Sequence, residues 1–244
     1  MLFTLTSGLE SQPMTKAFSN VEGASQRQSD QAFGTIKNEI ILCRLAPGAR
    51  FSEAELSDRF SFARAATRAA LMRLAQVRLV QPVPRHGFVV TPITIASIRE
   101  LFELRLIAEP QATALAVGKI DANTLRALNR SPQNAGSNPE QIAFVESNRA
   151  FHRAIAAATG NSRLFDLLES LADEMQRLVH LGLFGPGGSE TERRNADTQH
   201  EALIKSFEHG DAKAAEMVAR LHIEHAKGLV LDRLVNGNAA FAVA

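Results

Sequence analysis

Two sets of side chains in this sequence have the types and spacing to do chemistry. The first is a run of cations. Between Asp58 and Glu100 there is no Asp or Glu, while the interval carries Arg59, Arg64, Arg68, Arg73, Arg78, Arg85 and Arg99. An uncompensated basic face is what phosphate recognition needs. The second set consists of nitrogen and oxygen donors on phases where apolar residues are expected. On a helix predicted from Pro139 to Ala158, the inward phase holds Val145, Asn148, His152 and Ile155. On the next but one, about 190–209, His200 falls in phase with Leu203, Ile204 and Phe207. On the last, reaching about Leu234, Val218, His222, His225 and Leu229 share a face. An amide oxygen and two or three imidazoles thus point inward from three helices.

Buried polar groups need partners, and one divalent cation would satisfy all of these at once. A lone core histidine is usually just hydrogen-bonded; three helices each presenting one in phase favour the metal. Imidazole with an oxygen donor suits Zn, Ni, Mn or Fe, whereas Ca and Mg prefer shells of oxygen. Arg105 is the remaining polar residue on an inward stripe. It either pairs with Glu109 or Glu103, or grips the carboxylate of a small acid.

The elements that position these groups can be read from pattern. Phe33, Ile36, Ile40 and Ile41 recur at helical spacing, and Leu45-Ala-Pro-Gly-Ala-Arg-Phe51 breaks that helix. Ser52 caps a short second helix, with Glu53 and Glu55 in its first turn and Leu56 and Phe60 inward. The stretch Ala63 to Ala75 is alanine-rich and free of Gly and Pro, so it is expected to be helical. Leu71 and Leu74, with Ala70, mark its buried stripe; Arg64 and Arg68, four apart, share an exposed face. Leu79 to Val90 reads as two short β runs around a Pro/Gly turn. Helix, Pro-Gly turn, short helix, basic helix and hairpin are the outline of a winged helix-turn-helix over residues 29–92.

Residues 93–236 read as an all-helical unit, an antiparallel bundle of six. Thr94 caps its first helix, which Pro110 is expected to kink. Gly160, Asn161, Gly210 and Asp211 punctuate later ones. The fold class is therefore mainly α, with loose tails expected over 1–28 and 237–244.

At 244 residues the length favours two domains. Net charge is +1, unevenly divided: residues 1–90 hold 11 Lys/Arg against 7 Asp/Glu, leaving +4, and the rest holds 16 against 19, leaving −3. A basic N-terminal module on a mildly acidic partner fits that asymmetry. The single cysteine, Cys43, excludes disulfide frameworks and Cys-based zinc sites. The first fourteen residues lack a basic start and a long apolar core, and no later run is long enough for a membrane span, so a cytoplasmic location is expected.

Residues 29–235 resemble a GntR-family transcriptional regulator with an FCD-type (FadR C-terminal) effector domain. Leu45-Ala-Pro-Gly, Phe51-Ser-Glu-Ala-Glu-Leu56, Arg64…Arg68-Ala-Ala-Leu71 and Arg85-His-Gly-Phe-Val89 carry the likeness in the first unit. In the second it is carried by Glu103-Leu-Arg105…Glu109-Pro110, Asn148-Arg-Ala-Phe-His152, Gly160-Asn161, His200 and Ala215…His222-Ile223. Six C-terminal helices are similar to the VanR-like subgroup. The resemblance implies a homodimer on a near-palindromic operator, with a metal beside a pocket for a small carboxylate effector. It places Arg64, Thr67 and Arg68, with Arg85, His86 and Gly87 of the wing, on DNA. It places Asn148, His152, His200 and His222 (rather than His225) on the metal, and Arg105 on the effector.

Four departures stand out. The family's recognition helix usually opens Ser-Arg-Thr-Pro-Val-Arg-Glu-Ala-Leu. Here Ala63 removes the N-cap hydroxyl, at a typical cost of about 1 kcal/mol, and Ala69 replaces Glu, leaving the face more basic. Arg78 stands where glycine is usual, and Asn148 where Asp is common. Two rival readings exist. A metal-dependent hydrolase would need a general base beside an open metal position, and Asn148 cannot serve. An effector-independent architectural DNA binder would leave the inward polar groups unexplained.

Overall fold

A computed structural model of the chain describes residues 14–130, 137–184 and 188–236. The N-terminal unit follows the expected order: α1 (Met14–Ile41), β1 (Arg50–Phe51), α2 (Glu53–Phe60), α3 (Arg64–Gln76), β2 (Val80–Val83) and β3 (Gly87–Val90). Its core is formed by Ile36 and Ile40 of α1, Leu56 of α2, and Ala70, Leu71 and Leu74 of α3, with Leu79, Phe88 and Val90. Ser52 closes α2 with a capping box to Glu55, while Ala63 gives α3 no side-chain cap. The buried Ser57 and Thr67 hydroxyls lie 3.3 Å apart and join α2 to α3.

Two expectations change here. The expected loose tail over residues 1–28 is helical from Met14, and residues 1–13 lie outside the described residues, as does the other tail, 237–244. The buried half of α1 supplies the nucleus, and each further residue then adds one hydrogen bond without a new nucleation cost. The break before Ser52 also contains a strand. β1 pairs antiparallel with β3, Arg50 opposite Val89 and Phe51 opposite Phe88, giving the sheet order β1-β3-β2. Two residues are too short to leave an alternation pattern. The strand exists because Gly87, at φ +82°, admits it: a Cβ there would sit 2.3 Å from the Phe51 carbonyl oxygen.

The second unit comprises α4 (Ile95–Ala116), α5 (Ala122–Leu128), α6 (Asn138–Ala158), α7 (Ser162–Phe184), α8 (Glu190–Glu208) and α9 (Ala212–Asn236). Thr94, Asp121, Asn161, Ser189 and Asp211 each accept a backbone N–H of the helix that follows. Pro110 lies inside α4, which continues through it. The expected loop after Ser131 and the break after Gly185 fall largely on residues 131–136 and 185–187, outside the described ones.

Apolar side chains of this bundle form two clusters. One joins Ile98 and Phe102 of α4 to Leu178 and Leu181 of α7 and to Ile223 and Val230 of α9. The other joins Ala116 of α4 to Leu125, Phe151, Ile155, Leu203, Ile204 and Ala219. Along α4 the change from one cluster to the other falls across Arg105 and Glu109, and along α9 it falls at His222. That boundary is where the bundle's inward polar groups collect.

A buried imidazole cluster and an exposed arginine face

α6, α8 and α9 bring His152, His200 and His222 together. Ring centroids are 5.2 Å apart for His152–His200 and His152–His222, and 4.8 Å for His200–His222. One ring nitrogen of each lies within 4.8 Å of the others. A tetrahedral ion at about 2.1 Å from each nitrogen would want them roughly 3.4 Å apart, so the rings need close in only modestly to ligate one. The outer nitrogens are fixed. His200 Nδ1 lies 2.7 Å from Asn129 Oδ1 and His222 Nδ1 2.8 Å from Gln199 Oε1. An amide oxygen only accepts, so Nδ1 carries the proton in both rings and Nε2 keeps its lone pair. The Nε2 atoms of His152 and His200 are buried without a hydrogen-bond partner. Holding a ring by its outer nitrogen is how ligating histidines are oriented elsewhere.

Burial keeps these rings neutral, the form that ligates. It pushes His200 down to about 4, with the Arg105 guanidinium adding to the effect. His152 and His222 are driven well below the ordinary histidine range by burial first, then by neighbouring imidazoles and Arg105. The choice between His222 and His225 is made by the rotation of α9: His222 is buried in the cluster and His225 is exposed.

A cavity of about 100 Å³ opens beside the cluster. Arg105, Glu109, Asn148, Arg149, His152, Gln199 and His222 line it, with apolar residues of α7 and α9 such as Val179, Leu229 and Val230. Asn148 sits one turn before His152 on α6. Arg105 is buried in the wall as expected, but its guanidinium is committed to Glu109 by two hydrogen bonds, Nε to Oε1 and Nη2 to Oε2, the latter 2.8 Å. Of the two roles expected for Arg105, the ion pair is the one formed. Glu109 Oε2 lies 3.8 Å from His152 Nδ1, so each of the three imidazoles has an oxygen beyond its outer nitrogen.

The arginine face has the expected geometry with two corrections. Arg64 and Arg68 are exposed on one side of α3. Arg68 has only a loose contact to Glu53 at 3.7 Å, and Arg64 has no acidic partner among the described residues. Thr67 is fully buried, with its hydroxyl against Ser57, and so does not face DNA. Gly87 is in place because Phe51 leaves no room for a side chain. Arg73 is occupied with Asp30 at 2.6 Å and lies over the Phe33 ring.

Two arginines adopt left-handed backbone: Arg78 at φ 58° and Arg85 at φ 66°. Arg78 keeps the turn in which glycine is usual, at the steric cost of a side chain in that region. Arg85 follows Pro84 in a turn closed by His86 N–H to the Val83 carbonyl at 2.9 Å. Pro at the second position and positive φ at the third are the type II pattern, where glycine is favoured.

Several groups of consequence left no signal in the sequence. Asn129 and Gln199 belong to no motif. His180 of α7 is buried, with Nδ1 unpartnered, and is pushed down to about 4 by burial and then by Arg44. Between the two units, Lys37 Nζ of α1 bonds Asp173 Oδ1 of α7 at 2.6 Å, and the buried Arg177 donates to the Thr91 carbonyl at 2.7 Å.

Residues 28–90 match the gntR family of bacterial regulatory proteins, and residues 100–225 match the FCD domain. The chain is 24% identical over 199 residues to the HTH-type transcriptional regulator YdhC of Bacillus subtilis, covering 80% of this chain and 87% of YdhC. It is 25% identical over 203 residues to the HTH-type transcriptional repressor RspR of Escherichia coli, covering 82% and 87%. The solved structure of E. coli McbR/YncC superposes with a TM-score of 0.70 at 23% identity, over 85% of this chain and 98% of that one. A GntR regulator from Rhodococcus sp. RHA1 gives 0.67 at 20% identity, over 84% and 98%. These likenesses carry the fold.

The depressed histidines make the metal-free protein acid-labile. An unfolded histidine takes up a proton near 6.5, whereas folded His200 and His180 resist until about 4. Between those values the unfolded chain binds more protons, so stability must fall as pH falls, and His152 and His222 add the same sign. Each contributes up to about 1.4 kcal/mol per pH unit within that window. Urea unfolding at pH 7, 6 and 5 measures the slope, and His180→Phe is expected to remove one histidine's share of it.

Proposed function

Because the chain belongs to the GntR family of bacterial regulatory proteins and contains an FCD domain, we propose that it is a cytoplasmic, ligand-responsive transcriptional regulator that binds a near-palindromic operator as a homodimer and senses a small organic acid at a metal-containing pocket. The observation that carries the sensing half is the buried cluster of three neutral imidazoles. The outer nitrogens of His200 and His222 are already bonded to Asn129 and Gln199, Glu109 lies 3.8 Å from that of His152, and unpartnered Nε2 atoms remain inside. His152, His200 and His222, with Asn148 completing the set, would hold Zn, Ni, Mn or Fe. Such an ion supplies a Lewis-acid anchor for a carboxylate. The six bundle helices support placement in the VanR-like subgroup. The relatives are regulators of transcription rather than enzymes, which leaves no support for a hydrolase.

Asn148 alters the charge of the site. With an aspartate, one of the ion's two charges would be cancelled by a ligand; with Asn148 and three neutral imidazoles neither is. Glu109, the carboxylate 3.8 Å from His152, is already paired with Arg105. The ion alone is then held less tightly, and an anionic effector gains more from binding the metal form, each raising the other's affinity by the same factor. Asn148→Asp is expected to tighten Zn²⁺ binding by roughly tenfold. Calorimetry against a competing chelator reads this directly, and equal affinities would remove Asn148 from the coordination shell.

The DNA half rests on Arg64 and Arg68 in the major groove and on Arg85 and His86 at the wing. Arg85 is informative because it holds a backbone conformation that glycine would fill more cheaply. Arg85→Gly is expected to stabilise the fold by about 1 kcal/mol while weakening operator binding and lowering its salt slope. Arg64→Ala and Arg68→Ala are each expected to cost roughly 1–3 kcal/mol of operator affinity with helicity unchanged. Fluorescence anisotropy with operator DNA, across a salt series, reads all three. An Arg64→Ala, Arg68→Ala double variant that bound as wild type does would displace α3 from the groove.

The same reading assigns dimerisation to the bundle. Leu104, Ile107 and Leu115 of α4 and Met217 and Leu221 of α9 are exposed, Ile107 by 72%. The two helices pack together and are bridged by Gln111 and Glu216 at 2.8 Å, so these residues form one apolar face. Such a face on a soluble protein marks an association surface, and a two-fold repeat of it satisfies both copies. Ile107→Glu is expected to sediment as a monomer at micromolar concentration; a dimer of unchanged affinity would move the interface elsewhere.

A further inference from the structure

A bonded group of polar side chains lies between the cavity beside the imidazole cluster and α1 of the DNA-binding unit. Its members are Arg149 of α6 and Glu169, Asp173 and Gln176 of α7. Arg149 Nη1 bonds Asp173 Oδ1 and, at 3.2 Å, Gln176 Oε1, and its Nη2 reaches Glu169 at 3.4 Å. Arg149, Glu169 and Gln176 line the effector cavity. Gln176 also lines a second cavity on the far side, together with Phe33, Lys37 and Ile41 of α1. From that side Lys37 Nζ bonds Asp173 at 2.6 Å, and it does so on the same oxygen, Oδ1, that Arg149 occupies.

Within this bonded set the cations outnumber the carboxylates, with Glu146 the further carboxylate lining the second cavity. Glu169 also accepts from Arg153 at 3.1 Å, so three cations, Lys37, Arg149 and Arg153, are ion-paired to two carboxylates, Asp173 and Glu169. Asp173 and Lys37 are largely withdrawn from solvent, which leaves water little room to relieve the excess. Arg105, by contrast, is matched one to one with Glu109. A carboxylate entering the cavity therefore gains most at Arg149.

We propose that Arg149, and not Arg105, takes the carboxylate of the acid bound in this cavity, and that Asp173 is thereby released to Lys37, so that occupancy of the cavity is felt by α1 of the DNA-binding unit. The inference rests on the acid-sensing reading of the cavity. Before binding, two cations compete for one oxygen of Asp173. After binding, each has its own carboxylate, and the tie from bundle to α1 tightens. The change does not stop at Lys37. Its ammonium lies 5.9 Å from the centre of the Phe33 ring, and Arg73 of α3 lies over the same ring at 4.2 Å. Arg73 also bonds Asp30 of α1. α3, the helix that presents Arg64 and Arg68, is thus clamped to the stretch of α1 that Lys37 anchors. An effector acts only through such a difference in contacts between two states.

Hydrogen–deuterium exchange of the full chain tests this without operator DNA. Arg149→Met removes the competing cation and mimics the bound state. It is expected to slow exchange of the 33–41 segment roughly fivefold, and to have no such effect in a Lys37→Met background. Should Arg149→Met fail to reach wild-type helicity, Arg149→Lys is expected to act in the same direction more weakly. Sodium acetate, the minimal carboxylate probe, should slow the same segment in wild type relative to sodium chloride at equal ionic strength, and in neither Arg149→Met nor Lys37→Met. Unchanged or faster exchange of 33–41 in both Arg149 variants overturns the proposal. So does slowing that persists without Lys37, an acetate effect that survives Arg149→Met, or acetate acting on wild type no differently from chloride. Wild-type operator binding in the arginine-face variants would refute the DNA-binding assignment while leaving this cycle standing.

Discussion

Three imidazoles packed into a helical bundle, two of them buried and His152 partly so, impose a condition that the surrounding structure has to meet. A polar atom withdrawn from water without a partner costs about 1–3 kcal/mol, and His152 and His200 each retain one. The fold answers half of the problem itself, giving His200 and His222 amide oxygens and setting Glu109 near His152. It leaves the inner nitrogens facing one another. The two apolar clusters stop on either side of them, so the bundle is assembled around a polar seam. Such an arrangement sacrifices stability at the seam and keeps the rings neutral, oriented and close, which is the state a ligand ion requires.

A similar trade is visible in the backbone of the DNA-binding unit. Arg78 and Arg85 both occupy the left-handed region, where a side chain crowds the carbonyl that follows. At Arg78 the turn between α3 and the wing has the positive φ that glycine adopts most easily. At Arg85 the strain keeps a cation at the tip of the hairpin. α3 itself begins without a capping side chain, since Ala63 offers no hydroxyl. What holds it is burial: Ala70, Leu71 and Leu74 are wholly inside, and Thr67 is fastened to Ser57. Packing against α1 and α2 thus takes the place of a cap, and the outer face is left to Arg64 and Arg68.

The two units are joined by ion pairs and hydrogen bonds through α7 as well as by chain connection. Asp173 and Arg177, one turn apart, reach α1 and the end of the wing respectively. Asp173 is also held from the cavity side by Arg149. Breaking one partner of a buried pair leaves the other uncompensated, so such contacts respond sharply to a change of charge nearby. This group of side chains borders the cavity on one side and is bonded to α1 on the other.

How much was legible in the sequence differs between the parts. Local periodicity, caps and breakers were enough for the order of elements, since Ile36 and Ile40, Leu71 and Leu74, or Ser52 with Glu55 interact within one or two turns. The phase of His152 and His200 was legible for the same reason: a residue's face on its own helix depends only on spacing. Spacing could not choose between His222 and His225, because that requires the rotation of α9 against α6 and α8. Nor could it expose β1, whose two residues exist as a strand only because Gly87 lets β3 approach. Thr67 looked like a groove residue until α2 covered it. Asn129, Gln199 and the shared oxygen of Asp173 were out of reach altogether, since their partners lie from 23 to 136 residues away in the chain. The sequence determined which helices form and which of their faces are polar; tertiary packing alone decided which polar groups meet, because hydrogen bonds and ion pairs depend on distances that no single helix defines.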